Sequence, residues 1–196
     1  MTYDEVKYWN ERPLGDGWAK SDIHDKQIEF TKRQFVRSNL GILDFGAGSG
    51  RMFEAFGKAI FVEAYDVSAL RREQLERQAE KYDFDTHITI EESMKPLNYP
   101  DNFFDYAIAA EVLLHQSHEH IIRVMSELVR VSKKVIAFTW YEPDKKFENL
   151  STGEKGFRYG SATHCFHYDY PKICRDNNWQ YEFEIYGKQI FLTFWK

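Results

Sequence analysis

Apolar residues in this chain gather into short runs, and the runs alternate with charged stretches of helical character. Ile42 to Phe45, Ala59 to Tyr65, His87 to Ile90, Phe104 to Ala110 and Lys134 to Trp140 read as five strands. Near-continuous apolar runs of this kind suit strands covered on both faces of a parallel sheet. Ser21 to Ser38 carries Ile23, Ile28, Phe30, Phe35 and Val36 among polar residues and reads as a helix, and Arg51 to Phe56 as a short one. Ser68 is placed to cap a charged helix running to Tyr82, with Leu70 and Leu75 facing inward. Ser117 is placed to cap the next, in which Ile121, Val124, Leu128 and Val131 recur at helical spacing. Tyr170 to Asn177 reads as the last helix. Gln180 to Tyr186 and Gln189 to Trp195, joined at Gly187-Lys188, read as a hairpin.

Strand and helix in alternation, closed by a hairpin, predict an α/β fold. The expected architecture is a Rossmann-like, doubly wound, seven-stranded sheet, mostly parallel, with an antiparallel strand from the C-terminal hairpin. No Pro- or Gly-rich linker divides the chain, so 1–196 is expected to be a single domain. Residues 1–40 form an expected N-terminal arm and helix over a cleft, and 142–167, which lack periodicity, a substrate lid. In such sheets ligands bind beyond the carboxyl ends of the strands, where strand order reverses.

Composition narrows the function classes. A length of 196 residues and a 43% hydrophobic fraction support a sizeable core without disulfides. A formal net charge of -5 gives no electrostatic footprint for phosphate backbones and disfavours a dedicated nucleic-acid binder. Cys165 and Cys174, nine apart, make no CxxC pair or zinc set; two reduced thiols, a polar N-terminus and no apolar run of membrane-spanning length predict a cytoplasmic protein.

The strongest chemical signal is Asp44-Phe45-Gly46-Ala47-Gly48-Ser49-Gly50, directly after the first strand. The glycines permit a sharp turn and let a ligand lie against the backbone. A dinucleotide fingerprint wants G-x-G-x-x-G, whose third glycine would fall on Arg51; the observed spacing is G-x-G-x-G. Asp66 ends the second strand 20 residues after Gly46. A carboxylate there accepts two hydroxyl hydrogen bonds side by side, in a dinucleotide enzyme or otherwise.

The segment Asp44 to Gly50 resembles motif I of the class I S-adenosylmethionine (SAM)-dependent methyltransferases. Tyr65-Asp66-Val67-Ser68 and Pro100-Asp101-Asn102-Phe103-Phe104-Asp105 are similar to further segments of that family. So is Ala110-Glu111-Val112-Leu113-Leu114-His115. The resemblance covers roughly Gly41 to Trp140, and Tyr8-Trp9-Asn10-Glu11-Arg12 looks like the aromatic opening of several small-molecule members, including the thiopurine type. It implies transfer of a methyl group from SAM, leaving S-adenosylhomocysteine (SAH), to an oxygen or nitrogen of a small molecule. It implies a cofactor site of Asp44, Gly46, Ala47, Gly48, Gly50, Asp66, Val67, Ser93, Met94, Glu111 and Trp9, with Asp66 on the ribose. Many members carry an acid at the position of Ser93, and this chain does not. His115 and His164 are the candidate bases; His115 shares a face with Glu111 if that segment is helical. His115, His164, His167 and Asp169 match no zinc pattern, so no metal is expected. The expected partners are a small-molecule substrate, no nucleic acid and no membrane, in a monomer or homodimer. Methylation of RNA or protein, SAM binding without turnover, and an NAD-linked oxidoreductase remain open alternatives.

Overall fold

The computed structural model describes residues 5–11, 21–91, 96–141 and 165–196. Seven strands make one sheet: β1 Leu40–Phe45, β2 Ala59–Asp66, β3 Asp85–Ile90, β4 Phe104–Ala110, β5 Ser132–Trp140, β6 Gln180–Tyr186 and β7 Gln189–Trp195. Their order is β3-β2-β1-β4-β5-β7-β6. The first five are parallel, and β7 runs antiparallel between β5 and β6. This is the Rossmann-like arrangement the alternation predicts. The chain lays β2 and β3 to one side of β1, then returns to place β4 on the other. The order therefore reverses between β1 and β4, and a crevice opens at their carboxyl ends.

Helices cover both faces. On one face α2 (Asp22–Gln34), a 3-10 turn at Arg51–Ala55 and α3 (Arg72–Ala79) pack over Ile42, Val62, Ala64, Ile108 and Phe138. On the other, α4 (Ile121–Val131) and α5 (Tyr170–Asp176) bury Leu43, Ala107, Val135 and Leu192. α4 is held by an apolar stripe of Ile121, Val124, Met125, Leu128 and Val129. A further helix, α1 (Glu5–Glu11), stands at the start of the chain.

One expected helix start is corrected. The helix after β2 begins as a 3-10 turn at Ala69–Arg71 and becomes α3 only at Arg72. Ser68 supplies no side-chain cap, because its hydroxyl donates to the Trp9 carbonyl oxygen at 3.1 Å. Leu70 is thereby turned outward and is 43% exposed, while Leu75 is buried as expected. At α4 the assigned helix begins after His120, and the Ser117 carbonyl oxygen accepts from the His120 and Ile121 N–H groups, so the first turn opens at Ser117. Of the expected lid, 142–164 lie outside the described residues.

Candidate functional site

The chain leaves β1 in a turn built on left-handed backbone. Gly46 and Gly48 have φ of +75° and +59°, a region that costs an L side chain about 1–2 kcal/mol. The Gly46 and Ala47 N–H groups both donate to the Tyr65 carbonyl oxygen, which ties the turn to the end of β2. A Cβ on Gly46 would lie 2.4 Å from Val112 Cγ2, so the turn is pressed against the segment that follows β4. A Cβ on Gly48 would meet only the Gly46 carbonyl oxygen, at 3.9 Å. That side of the loop is an open backbone cradle.

Asp66 ends β2 beside this cradle and is 8% exposed. Its Oδ2 accepts from the Gly48 N–H and its Oδ1 from the Ser68 N–H, both at 2.8 Å. Burial pushes its carboxyl up, against the pull of these backbone donors. A carboxylate has about four lone-pair sites, so acceptor capacity remains for a ligand.

Asp44, in the central strand, is 1% exposed, and its Oδ2 has no hydrogen-bond partner. Burial pushes its carboxyl up to about 7; the Arg51 charge opposes this and the Asp66 charge adds to it. Arg51 is itself fixed from behind. Its Nη1 donates to Gln27 Oε1 at 2.7 Å. Gln27 Nε2 donates to Glu111 Oε1 at 3.1 Å and to Gln189 Oε1 at 2.8 Å, and Gln189 Nε2 donates to Glu111 Oε1 at 3.0 Å. His24 Nε2 is 3.8 Å from the same Glu111 oxygen. Glu111 reaches this group because it turns to φ +61° at the end of β4. The segment after it is a 3-10 turn at Leu113–His115, so Glu111 and His115 do not share a helix face. The participants come from α2, β7 and the β1 and β4 ends, too far apart in sequence for spacing to reveal the group.

α1 closes one side of the cleft. Asn10 Nδ2 donates to the Val67 carbonyl oxygen at 3.2 Å, and the Ala69 N–H donates to Asn10 Oδ1 at 3.1 Å. This sets Trp9 edge-on against His115, with ring centroids 4.9 Å apart. His115 is 8% exposed, and its Nδ1 lies 3.9 Å from Cys165 Sγ. The Phe166 N–H donates to the Leu114 carbonyl oxygen at 2.7 Å, drawing the chain after 164 to the same place.

Asp44, Gly46, Ala47, Gly48, Gly50, Asp66, Val67, Trp9 and His115 thus meet at the carboxyl ends of β1, β2 and β4. Glu111 lies at the same edge but turns its side chain inward to Gln27 and Gln189. Ser93, Met94 and His164 lie outside the described residues. Gln27, Arg51 and Gln189 are members that sequence reasoning missed. Among the described residues no group of His, Cys, Asp and Glu is arranged to hold a metal ion, and no helix is long and apolar enough to cross a membrane.

Residues 42–134 match the family model described as a methyltransferase domain. No curated protein matches the chain in sequence. Among solved structures it is similar to magnesium protoporphyrin IX methyltransferase (ChlM) from Synechocystis PCC 6803, with bound SAH: 18% identity, TM-score 0.65, 96% of each chain covered. It is similar to a SAM-dependent methyltransferase from Aquifex aeolicus: 17% identity, TM-score 0.63, 98% of each chain covered. It is also similar to the [4+2]-cyclase SpnF: 18% identity, TM-score 0.64, 81% of this chain and 60% of that one covered. Likeness at these identities speaks for the fold, and one fold hosts different chemistries.

Proposed function

We propose that this chain is a class I, SAM-dependent methyltransferase, on the match of residues 42–134 to a methyltransferase domain, and that it methylates an oxygen or nitrogen of a small molecule in the cleft beside Gly46 to Gly50. The residues there fit the cofactor. The open side of Gly48 would receive its backbone-hugging part, and Asp66 would accept from the ribose hydroxyls. Asp44 Oδ2 would accept from its ammonium group. Gly46, Ala47, Gly50 and Val67 would shape the turn and rim, Ser93 and Met94 would lie along the adenine, and Trp9 would shield the cleft from water. Glu111 would act on the site through Arg51 and Gln27. The charge balance supports this choice of cofactor. Asp44 and Asp66 bring two carboxylates to the edge of the loop, acceptors suited to a ligand that carries an ammonium group and ribose hydroxyls.

When bound, the cofactor supplies a methyl group made electrophilic by its sulfonium sulfur. The protein then has two tasks, alignment and proton removal. His115 would take the proton from an acceptor hydroxyl or ammonium, with Trp9 and Cys165 holding its ring. His164 would be the alternative base, and the segment 142–167 a lid over the acceptor.

The observation that carries the small-molecule reading is the enclosure of His115. An imidazole only 8% exposed admits a small acceptor or a single protruding group. A net charge of -5 offers a nucleic-acid backbone no attractive track. The test is radiolabelled methyl transfer from SAM to a metabolite extract, total tRNA and a protein extract, with wild type and His115→Asn. Label is expected in the metabolite fraction, reduced at least about tenfold in the variant, in keeping with a general base. Label in tRNA or protein alone would overturn the acceptor class.

A further inference from the structure

The buried group behind the glycine loop is more elaborate than a loop needs. Both ends of the Gln27 side-chain amide are engaged: its oxygen by Arg51, its two N–H bonds by Glu111 and Gln189. Gln27 is 0% exposed and Gln189 is 7% exposed. A buried hydrogen-bond network in a low-dielectric setting holds its members in one arrangement. What it fixes here is a cation. Arg51 Nη1 can meet Gln27 Oε1 only while the amide presents its oxygen to the guanidinium, and Glu111 enforces that orientation by accepting from the amide nitrogen.

We propose that Arg51, held by Gln27, Glu111 and Gln189, is a positioning residue that favours the charged form of the buried Asp44 carboxylate, the form able to accept from the cofactor's amino group, so that capture of the amino-acid end of the cofactor is linked to the Asp44 proton. The inference rests on the cofactor reading above. Asp44 Oδ2 is buried without a hydrogen-bond partner, a state that is costly unless a donor arrives. The charged groups facing Asp44 are Arg51 from the 3-10 turn and Asp66 from β2. Glu111 faces Arg51 in turn, and His24 of α2 faces Glu111. Of these only Arg51 favours the ionised carboxylate directly, and burial moves the Asp44 carboxyl up to about 7 in spite of it. The sign follows: the acceptor form exists above about pH 7 and is lost as pH falls through it.

The test is calorimetric titration with two ligands between about pH 5 and about pH 8. SAH carries the amino-acid end; 5′-methylthioadenosine keeps the nucleoside and thioether and lacks it. SAH affinity is expected to weaken by about tenfold per pH unit below the transition, while 5′-methylthioadenosine affinity stays level. In Arg51→Met the SAH transition moves to higher pH, and Arg51→Lys restores part of the displacement. In Asp44→Asn the SAH profile is flat and 5′-methylthioadenosine still binds, which keeps the test usable should Arg51→Met fail to fold. A level SAH profile in wild type, or one unmoved in a folded Arg51→Met, would overturn the proposal. Failure of both ligands to bind wild type would instead overturn the cofactor reading beneath it.

Discussion

Asp44 and Asp66 illustrate how a site stores free energy in single residues. Burial raises both carboxyls, Asp44 to about 7 against an ordinary value of 3.8. For Asp44 the folded protein binds the proton more tightly than the unfolded chain does. The resulting penalty is absent below the unfolded value, grows as pH rises from about 4 to about 7, and is complete above that. At neutral pH and above it is worth roughly 4 kcal/mol. Asp44→Asn removes the charge with almost no change in volume. Its melting temperature is expected to exceed that of wild type by several degrees at about pH 8 and to converge with it near pH 4, read by thermal unfolding across pH. A variant no more stable than wild type at the higher pH would show that the buried carboxylate carries no such cost.

Among the elements, the turn after β1 depends on the segment after β4. Gly46 has a left-handed φ and no room beyond it, since Val112 occupies the place of a Cβ. Gly46→Ala is expected to lose about 1–2 kcal/mol to backbone strain and about 1–3 kcal/mol to overlap with Val112. Gly46→Ala combined with Val112→Ala should recover part of the overlap and none of the strain, a coupling that denaturant unfolding of the double-mutant cycle measures. Additive effects would place Val112 away from the loop. The strands themselves were legible in the sequence, β4, β6 and β7 to the residue, because apolar runs and a Gly-Lys turn are local signals. The glycine loop and Asp66 were legible for the same reason. The start of α3 was not, since Trp9 draws the Ser68 hydroxyl away across 59 residues of sequence. Nor was the clamp on Arg51: Gln27 and Gln189 touch over a separation of 162, and an isolated glutamine carries no sign of its partner.

For the molecule as a whole, the sheet does two jobs. Strands covered on both faces supply a rigid frame, and the reversal of order between β1 and β4 leaves the crevice at one edge. α1 docks on Val67–Ala69 through Asn10 and Ser68 and brings an aromatic wall to that crevice from the start of the chain. A cofactor bound in that crevice would therefore lie against the first helix and the central strands, with the buried polar group behind them. The most direct test is calorimetry of SAM, SAH and NAD against wild type and Asp66→Ala. Wild type is expected to bind SAM and SAH and give no heat with NAD, and Asp66→Ala to weaken SAM by about 10- to 100-fold, the scale of hydrogen bonds to a charged group. NAD binding in place of SAM, or SAM affinity indifferent to the loss of Asp66, would contradict the account.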